Sequence, residues 1–319
     1  EGLTAAAKVD PEWSSPTGSV SLLNEMVRLG LVAYLEEQFA GHPDLLEHVV
    51  PHYPPIAKRI VRDNGIWART LTRDNVHLVT DPIEAVTADG VRAGGTDHDV
   101  DVIIYGTGFA ASQFLTPMRV AGREGRDLHE QWADDARAYL GITVPHFPKL
   151  FCLYGPNTNI VVNGSIIFFS ECEVRYLTEC IHRLLADGHR ALDVRPEVHD
   201  AFNERVDAAN RQMAWGASAV SSWYKNARGR VTQNWPFPLL EYWQLTVGAD
   251  GAAAGPVPLQ TVERDAPPSA ADPVQVTPRP VEGAREYVIL RIPSHPPAAP
   301  AVEVRRPGQD TLYYWLVGH

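Results

Sequence analysis

The run Asp99-Val-Asp-Val-Ile-Ile-Tyr105 stops at Gly106-Thr107-Gly108, and with Ala111 the glycines satisfy G-x-G-x-x-A. At that spacing a strand can turn into a helix around a dinucleotide pyrophosphate. The chemistry needs a helix directly after the glycines and then a second strand ending in an acid roughly 20 residues on. Here Pro117 interrupts the following segment, and Arg119-Val-Ala-Gly-Arg-Glu-Gly-Arg126, which leads toward the acids Glu124 and Asp127, is no buried strand. The motif also closes a set of strands instead of opening one. It fails as a first phosphate loop. What remains is a strand end whose glycines let backbone approach something closely.

Three further stretches carry candidate chemistry. Lys58-Arg59 follows the stiff run Pro51-His-Tyr-Pro-Pro55, and reads either as a solvated surface pair or as cations held in place by the prolines. Gly155-Pro156-Asn157-Thr158-Asn159 ends a short strand and faces a helix starting near Ser165. It is either a capped strand-to-helix turn or a polar edge for a ligand near a helix N-terminus. Trp223, in Ser222-Trp-Tyr-Lys225, is packed core, or the rim of a pocket. Twelve histidines form no H-E-x-x-H and no cluster with cysteine, so no metal site is expected. No serine sits in G-x-S-x-G.

The elements that must position these residues follow from periodicity. Apolar groups at three- and four-residue spacing predict a helix over 20–40, closed by Gly41, with a short helix from Asp44 to Val50 behind it. Asp63 and Asn64 are placed to cap a helix holding Trp67. Strands are predicted at Val76–Val79, Ile83–Val86, Val100–Tyr105 and Leu150–Leu153. Residues 113–150 read as irregular. Two longer helices are expected from Ser165 to Ala186 and from Pro196 to about Met213, and 215–243 as packed loop with short strands. From Gly248 to Pro280 the composition shifts to Ala, Pro, Gly and Asp, the signature of a linker. Tyr287–Ile292 and Leu312–Val317 are further candidate strands without a specified partner.

Size and charge narrow the function. The 319 residues, 45% apolar and 21% charged, suffice for one large or two ordinary domains. A net charge of −11 with no basic patch sets nucleic-acid binding aside. Three cysteines, Cys152, Cys172 and Cys180, make no disulfide framework and suggest a reducing compartment, with Cys172 and Cys180 as core residues. Neither a signal peptide nor an apolar run of membrane-spanning length is visible, so a cytoplasmic protein is expected.

An ordered set of motifs resembles a known family. Tyr53-Pro-Pro-Ile-Ala-Lys-Arg59, Arg62-Asp-Asn-Gly65, Arg73-Asp-Asn-Val76, Val102-Ile-Ile-Tyr-Gly-Thr-Gly-Phe109, Ala138-Tyr-Leu-Gly-Ile-Thr-Val-Pro145, Gly155–Asn159 and Ser222-Trp-Tyr-Lys-Asn226 resemble segments of class B flavoprotein monooxygenases of the Baeyer–Villiger type, among them the 4-hydroxyacetophenone monooxygenases. The likeness covers roughly residues 8 to 246. It departs at Gly106, where the family's "ATGF" has alanine, and at His146 and Lys149, where glycine and asparagine are usual. The first FAD phosphate loop, the F-x-G-x-x-x-H-x-x-x-W signature and the NADPH phosphate loop are absent.

The resemblance therefore implies the C-terminal half of such an enzyme. The fold implied is α/β, an incomplete pair of dinucleotide-binding domains. Residues 1–107 would be the C-terminal part of the NADPH domain with a helical insert, and 108–247 the C-terminal part of the FAD domain. Residues 248–319 would be a Pro/Ala-rich linker and tail of unknown role. The implied activity is insertion of one oxygen atom of O₂ into a ketone through a flavin peroxide, with FAD and NADPH as cofactors. Both cofactors, and any activity, are expected only with the missing N-terminal half, whether that half is lost, cut away, or separately encoded on a polypeptide partner. By the same resemblance Arg59 is the catalytic cation, since a fixed guanidinium stabilises developing negative charge. Lys58 and Trp223 line the substrate and nicotinamide pocket, while Gly106, Thr107, Gly108 and Gly155, Pro156, Asn157, Thr158, Asn159 lie against the cofactor. Two alternatives stand beside this reading: a non-catalytic partner-binding module, and a truncated fragment without function. The residues do not distinguish ketone from sulfur or nitrogen oxygenation.

Overall fold

Helix α2, Leu22–Gln38, shows how side chains fix the N-terminal region of the computed structural model. Ser21 caps it, its hydroxyl accepting from the Asn24 amide at 3.2 Å. The buried Asn24 side chain then donates to Ala6 O at 2.9 Å and to Pro55 O at 3.1 Å. One carboxamide thus joins α2 to the short helix α1, Gly2–Ala6, and to the proline loop. After Gly41, at φ +92°, come α3, Pro43–Val49, with proline in its first turn, and α4, Ile66–Leu71, capped by Gly65 at φ +76° in place of Asn64. Phe39, Val49 and Ala68 close a small core between them, with the Phe39 and Trp67 rings edge-to-face at 6.0 Å.

The structure describes residues 2–60, 64–162, 164–189, 191–217 and 220–247, together with the backbone of three short strands at 259–261, 289–291 and 303–305. Contacts divide the chain into residues 1–262 and 263–319. In the second unit the described strands, β6 (Ile289–Arg291) and β7 (Glu303–Arg305), pair antiparallel. The first falls within the predicted strand 287–292. The candidate strand 312–317, Asp63 and nearly all of the predicted linker lie outside the described residues.

In the first unit, β1 (Ile83–Val86), β2 (Gly90–Ala93) and β3 (Thr96–Asp99) form an antiparallel meander in the order 1-2-3. Gly90 opens β2 where a Cβ would strike the His98 carbonyl, and Gly94-Gly95 turn the second hairpin with positive φ. The predicted strand at 100–105 does not form. Val100 donates to Asp89 O at 3.0 Å, and the chain then runs irregularly with Val102 73%, Ile104 90% and Phe109 96% exposed. Residues 76–79 and 150–153 are likewise irregular. Strand propensity describes fitness for a sheet, and a sheet needs neighbours. Among the described residues no strand is parallel to another, so the doubly wound sheet expected of an α/β fold is absent there; the class is mixed helix and antiparallel sheet.

The main core gathers on α6, Ile166–Ala186. Its inward stripe, Phe169, Cys172, Glu173, Tyr176 and Cys180, follows the helical period. Phe169 stacks on Tyr242 of α9 (Leu239–Thr246) at 4.1 Å, while Trp235 packs edge-on to both. Helix α7, Pro196–Arg211, adds Phe202 and Val206. It is joined to α6 through β4 (Leu192–Val194), which pairs with β5 (Leu259–Thr261). The short helices α5 (Leu128–Trp132) and α8 (Ala214–Ala217) lie in otherwise irregular stretches. Helix α9 falls in the stretch expected to be packed loop with short strands.

Buried loops complete the unit. Arg230, only 10% exposed in its side chain, donates to Asp207 at 2.9 Å, to Asp135 at 3.1 Å and to the Asn157 side chain at 3.1 Å. Arg137 bridges the same two acids at 3.1 and 2.9 Å. Charges removed from water need such full pairing.

Candidate active site

Pro54-Pro55 sets a turn in which Ala57 donates to Pro54 O at 3.1 Å, and Ile56, buried, takes the left-handed φ of +72°. The chain emerges as Lys58-Arg59. The Lys58 ammonium lies 5.0 Å over the Tyr53 ring, a cation–π geometry. Both residues line a cavity of about 490 Å³ between α2, α3, the proline loop and α4.

Arg59 is the meeting point of segments distant in sequence. Burial raises the hydroxyl pKa of Tyr154 and of Tyr224, and in both cases the nearby Arg59 guanidinium pulls it back. Tyr154 opens the Gly155–Asn159 segment, its hydroxyl donating to the Asn159 side chain at 2.9 Å. Tyr224 adjoins Trp223, ring centroids 4.6 Å apart. The structure therefore brings together three of the stretches singled out in the sequence: 53–59, 154–159 and 222–226.

The Gly155–Asn159 residues, expected to lie against the cofactor, pack into the chain's own interior. They are buried, and their polar groups are engaged inside the chain. The Asn157 and Asn159 amides donate to Thr232 O at 2.9 Å and Gln233 O at 2.8 Å. Asn157 Nδ2 donates to Val231 O at 2.8 Å, Asn159 Nδ2 to Asn234 Oδ1 at 2.8 Å, and Thr158 Oγ1 to Gly155 O at 2.8 Å. At Gly155 a Cβ would collide with the Gly141 carbonyl, so close backbone packing is what requires glycine there. Pro156 is buried with them.

Gly106, Thr107 and Gly108 are exposed. A Cβ on either glycine would meet no atom within 4 Å, so the close approach the glycines permit has no counterpart among the described residues. Beyond them Gln233 Nε2 donates to Ala111 O at 2.9 Å. Trp223 is 41% exposed beside Tyr224, at the rim.

Sequence reasoning did not single out Glu173. It is fully buried on the inward face of α6, where its Oε2 accepts from the Tyr154 amide at 3.0 Å. Tyr154 has φ +55°, so this carboxylate holds a left-handed residue whose ring reaches toward Arg59. Burial pushes the Glu173 pKa up to about 7, against the hydrogen bonds from Tyr154 and Tyr242. The readable signal was its position in a stripe of Phe, Cys and Tyr.

Two buried polar atoms, Ser222 Oγ and Asn234 Nδ2, have no hydrogen-bond partner, while the Tyr224 hydroxyl lies within hydrogen-bonding reach of Arg59. Buried donors and acceptors are ordinarily paired. Among the described residues no set of His, Cys, Asp and Glu could hold a metal ion, and no helix is long and apolar enough to cross a membrane.

No protein-family model matches the chain. It is 36% identical over 247 residues to an uncharacterized monooxygenase of Sinorhizobium fredii, covering 77% of this chain and 37% of that protein. An FAD-binding monooxygenase of Aspergillus niger is 37% identical over 214 residues, covering 66% and 35%. A Baeyer–Villiger monooxygenase of Pseudomonas aeruginosa is 33% identical over 213 residues, covering 66% and 40%. The structure of an oxidized steroid monooxygenase bound to NADP superposes with a TM-score of 0.67 at 27% identity, over 81% of this chain and 47% of that one. The chain thus spans well under half the length of the curated relatives it matches.

Proposed function

We propose that this chain, a partial-length relative of the Baeyer–Villiger and FAD-binding monooxygenases, forms part of an FAD- and NADPH-dependent enzyme that inserts one oxygen atom of O₂ into a ketone. The observation that carries the reading is the convergence on Arg59 of the proline loop, Tyr154 and Tyr224. FAD, when bound, supplies the redox chemistry that activates oxygen.

Each residue then has a task in the chain's own terms. Arg59, exposed at the mouth of the cavity, supplies a fixed guanidinium where negative charge develops. Ser222 Oγ and Tyr224 OH would hold the polar edge of the flavin. The Gly155–Asn159 loop acts one step removed, because its amides and carboxamides are spent on keeping residues 231–234 in place. Lys58 and Trp223 bound the space for the ketone. Residues 1–107 belong with an NADPH domain and 108–247 with an FAD domain, each completed by the sequence that brings the phosphate loops. The exposed run Val102–Phe109 is where such a partner would gain most by packing.

The test is ketone-dependent NADPH oxidation after mixing the chain with a polypeptide carrying the two phosphate loops, next to each component alone. A rate above both backgrounds, lost in Arg59→Ala, is expected. No added rate, or a rate untouched by Arg59→Ala, overturns the proposal.

A further inference from the structure

We infer that the cavity beside Arg59 binds molecules with an apolar body and a single carboxylate head. The inference concerns the cavity that Lys58 and Arg59 also line in the oxygenase reading, and its test reads binding without needing oxygenase activity.

The walls are apolar. Leu31 and Leu35 come from α2, Ile56 and Ile60 from the proline loop and Trp67 from α4. At about 490 Å³ the space is that of an ordinary small-molecule site and exceeds what one solvated side chain needs. A purely apolar cavity would take any hydrocarbon. This one does not have a neutral wall.

Arg28, Lys58 and Arg59 all line it, with no Asp or Glu among the described lining residues, although the chain as a whole carries a net charge of −11. Two of the cations have only partial compensation. Arg28 reaches Glu25 at 3.6 Å, one turn back on α2. That carboxylate is already engaged by Thr17 Oγ1 at 2.6 Å, and Arg28 Nε is buried without a hydrogen-bond partner. Lys58 is held over the Tyr53 ring. A carboxylate entering head-first would give the Arg28 fork a planar acceptor, and charge-assisted bonds of this kind are the strong ones. Its hydrocarbon body would cover Leu31, Leu35 and Trp67.

Isothermal titration of the whole chain with decanoate and with decanol separates the two contributions, because the probes share a tail and differ in the head. Decanoate should bind at least tenfold more tightly than decanol, and added KCl should narrow the gap. Arg28→Gln should bring decanoate to the decanol level while leaving decanol unchanged. Lys58→Gln, on the loop, serves as a second variant should Arg28→Gln not fold. Trp67→Phe should remove most of the ligand-induced change in tryptophan fluorescence, which assigns the binding to this cavity. Equal affinity for the two probes, binding of neither, or a fluorescence change untouched by Trp67→Phe would each overturn the inference.

Discussion

Replacing Glu173 by glutamine should make the protein more stable at neutral and alkaline pH, in a way that identifies the cause. The carboxyl is fully buried, and its pKa rises from an ordinary 4.5 to about 7 because burial disfavours the charge. The folded state therefore holds a proton that the unfolded chain has already released between those two values. Stability contributed by this group falls as pH rises through that window and levels off above it, by about 3 kcal/mol for a displacement of this size. Glu173→Gln keeps an oxygen to accept from the Tyr154 amide and removes the titration. Urea unfolding of both proteins at half-unit steps from pH 4.5 to 8.5 isolates the effect, since every other group cancels in the difference. The variant's advantage should grow with pH and reach a plateau near pH 8. A difference that stays flat with pH would refute the reasoning, whatever the absolute stabilities.

Three further outcomes follow from the packing. Arg230→Met leaves Asp135 and Asp207 with Arg137 as their remaining cation and should cost about 3–5 kcal/mol in urea unfolding; a loss below 1 kcal/mol, itself roughly the worth of an exposed pair, would mean that the network is solvated. Gly155→Ala drives a methyl into the Gly141 carbonyl and the Cys152 side chain, and should lower the melting temperature far more than the same change at Gly106, where nothing lies within 4 Å. Cys152, Cys172 and Cys180 are all buried with raised thiol pKa, about 12 for the first and last, so a thiol reagent at pH 8 should label none of them until denaturant is added.

The helices were legible because each carries its own instructions. Those predicted over 20–40, 165–186 and 196–213 appear as Leu22–Gln38, Ile166–Ala186 and Pro196–Arg211, with a serine, serine and proline at their starts. Helix α9 was missed because Pro236 and Pro238 read as loop, whereas Pro238 precedes the first turn. The strand expected at 100–105 shows the opposite limit, since the ladder it needs is supplied by other segments. At the site, Lys58-Arg59 was noticed for its prolines and gained a role only from the resemblance. Glu173 hid behind the presumption that a helical glutamate faces water. The Arg230 cluster could not be read at all, because nothing local marks which arginine will meet Asp135 and Asp207.

That cluster also bears on the order of events while the chain is being made. Asp135 leaves the ribosome 95 residues ahead of Arg230. At bacterial or eukaryotic elongation rates the interval is on the order of 5–20 s. During it Arg137 is the cation at hand for Asp135 and then for Asp207, and the loop holding Asn157 lacks the guanidinium that fixes it. The 133–160 stretch is thus synthesised long before it can settle, and its consolidation waits on Arg230 and on the later elements, α9 and β5, that complete the unit. Slowing translation at any point before α9 and β5 have emerged would lengthen the exposure of half-built core to chaperones and proteases.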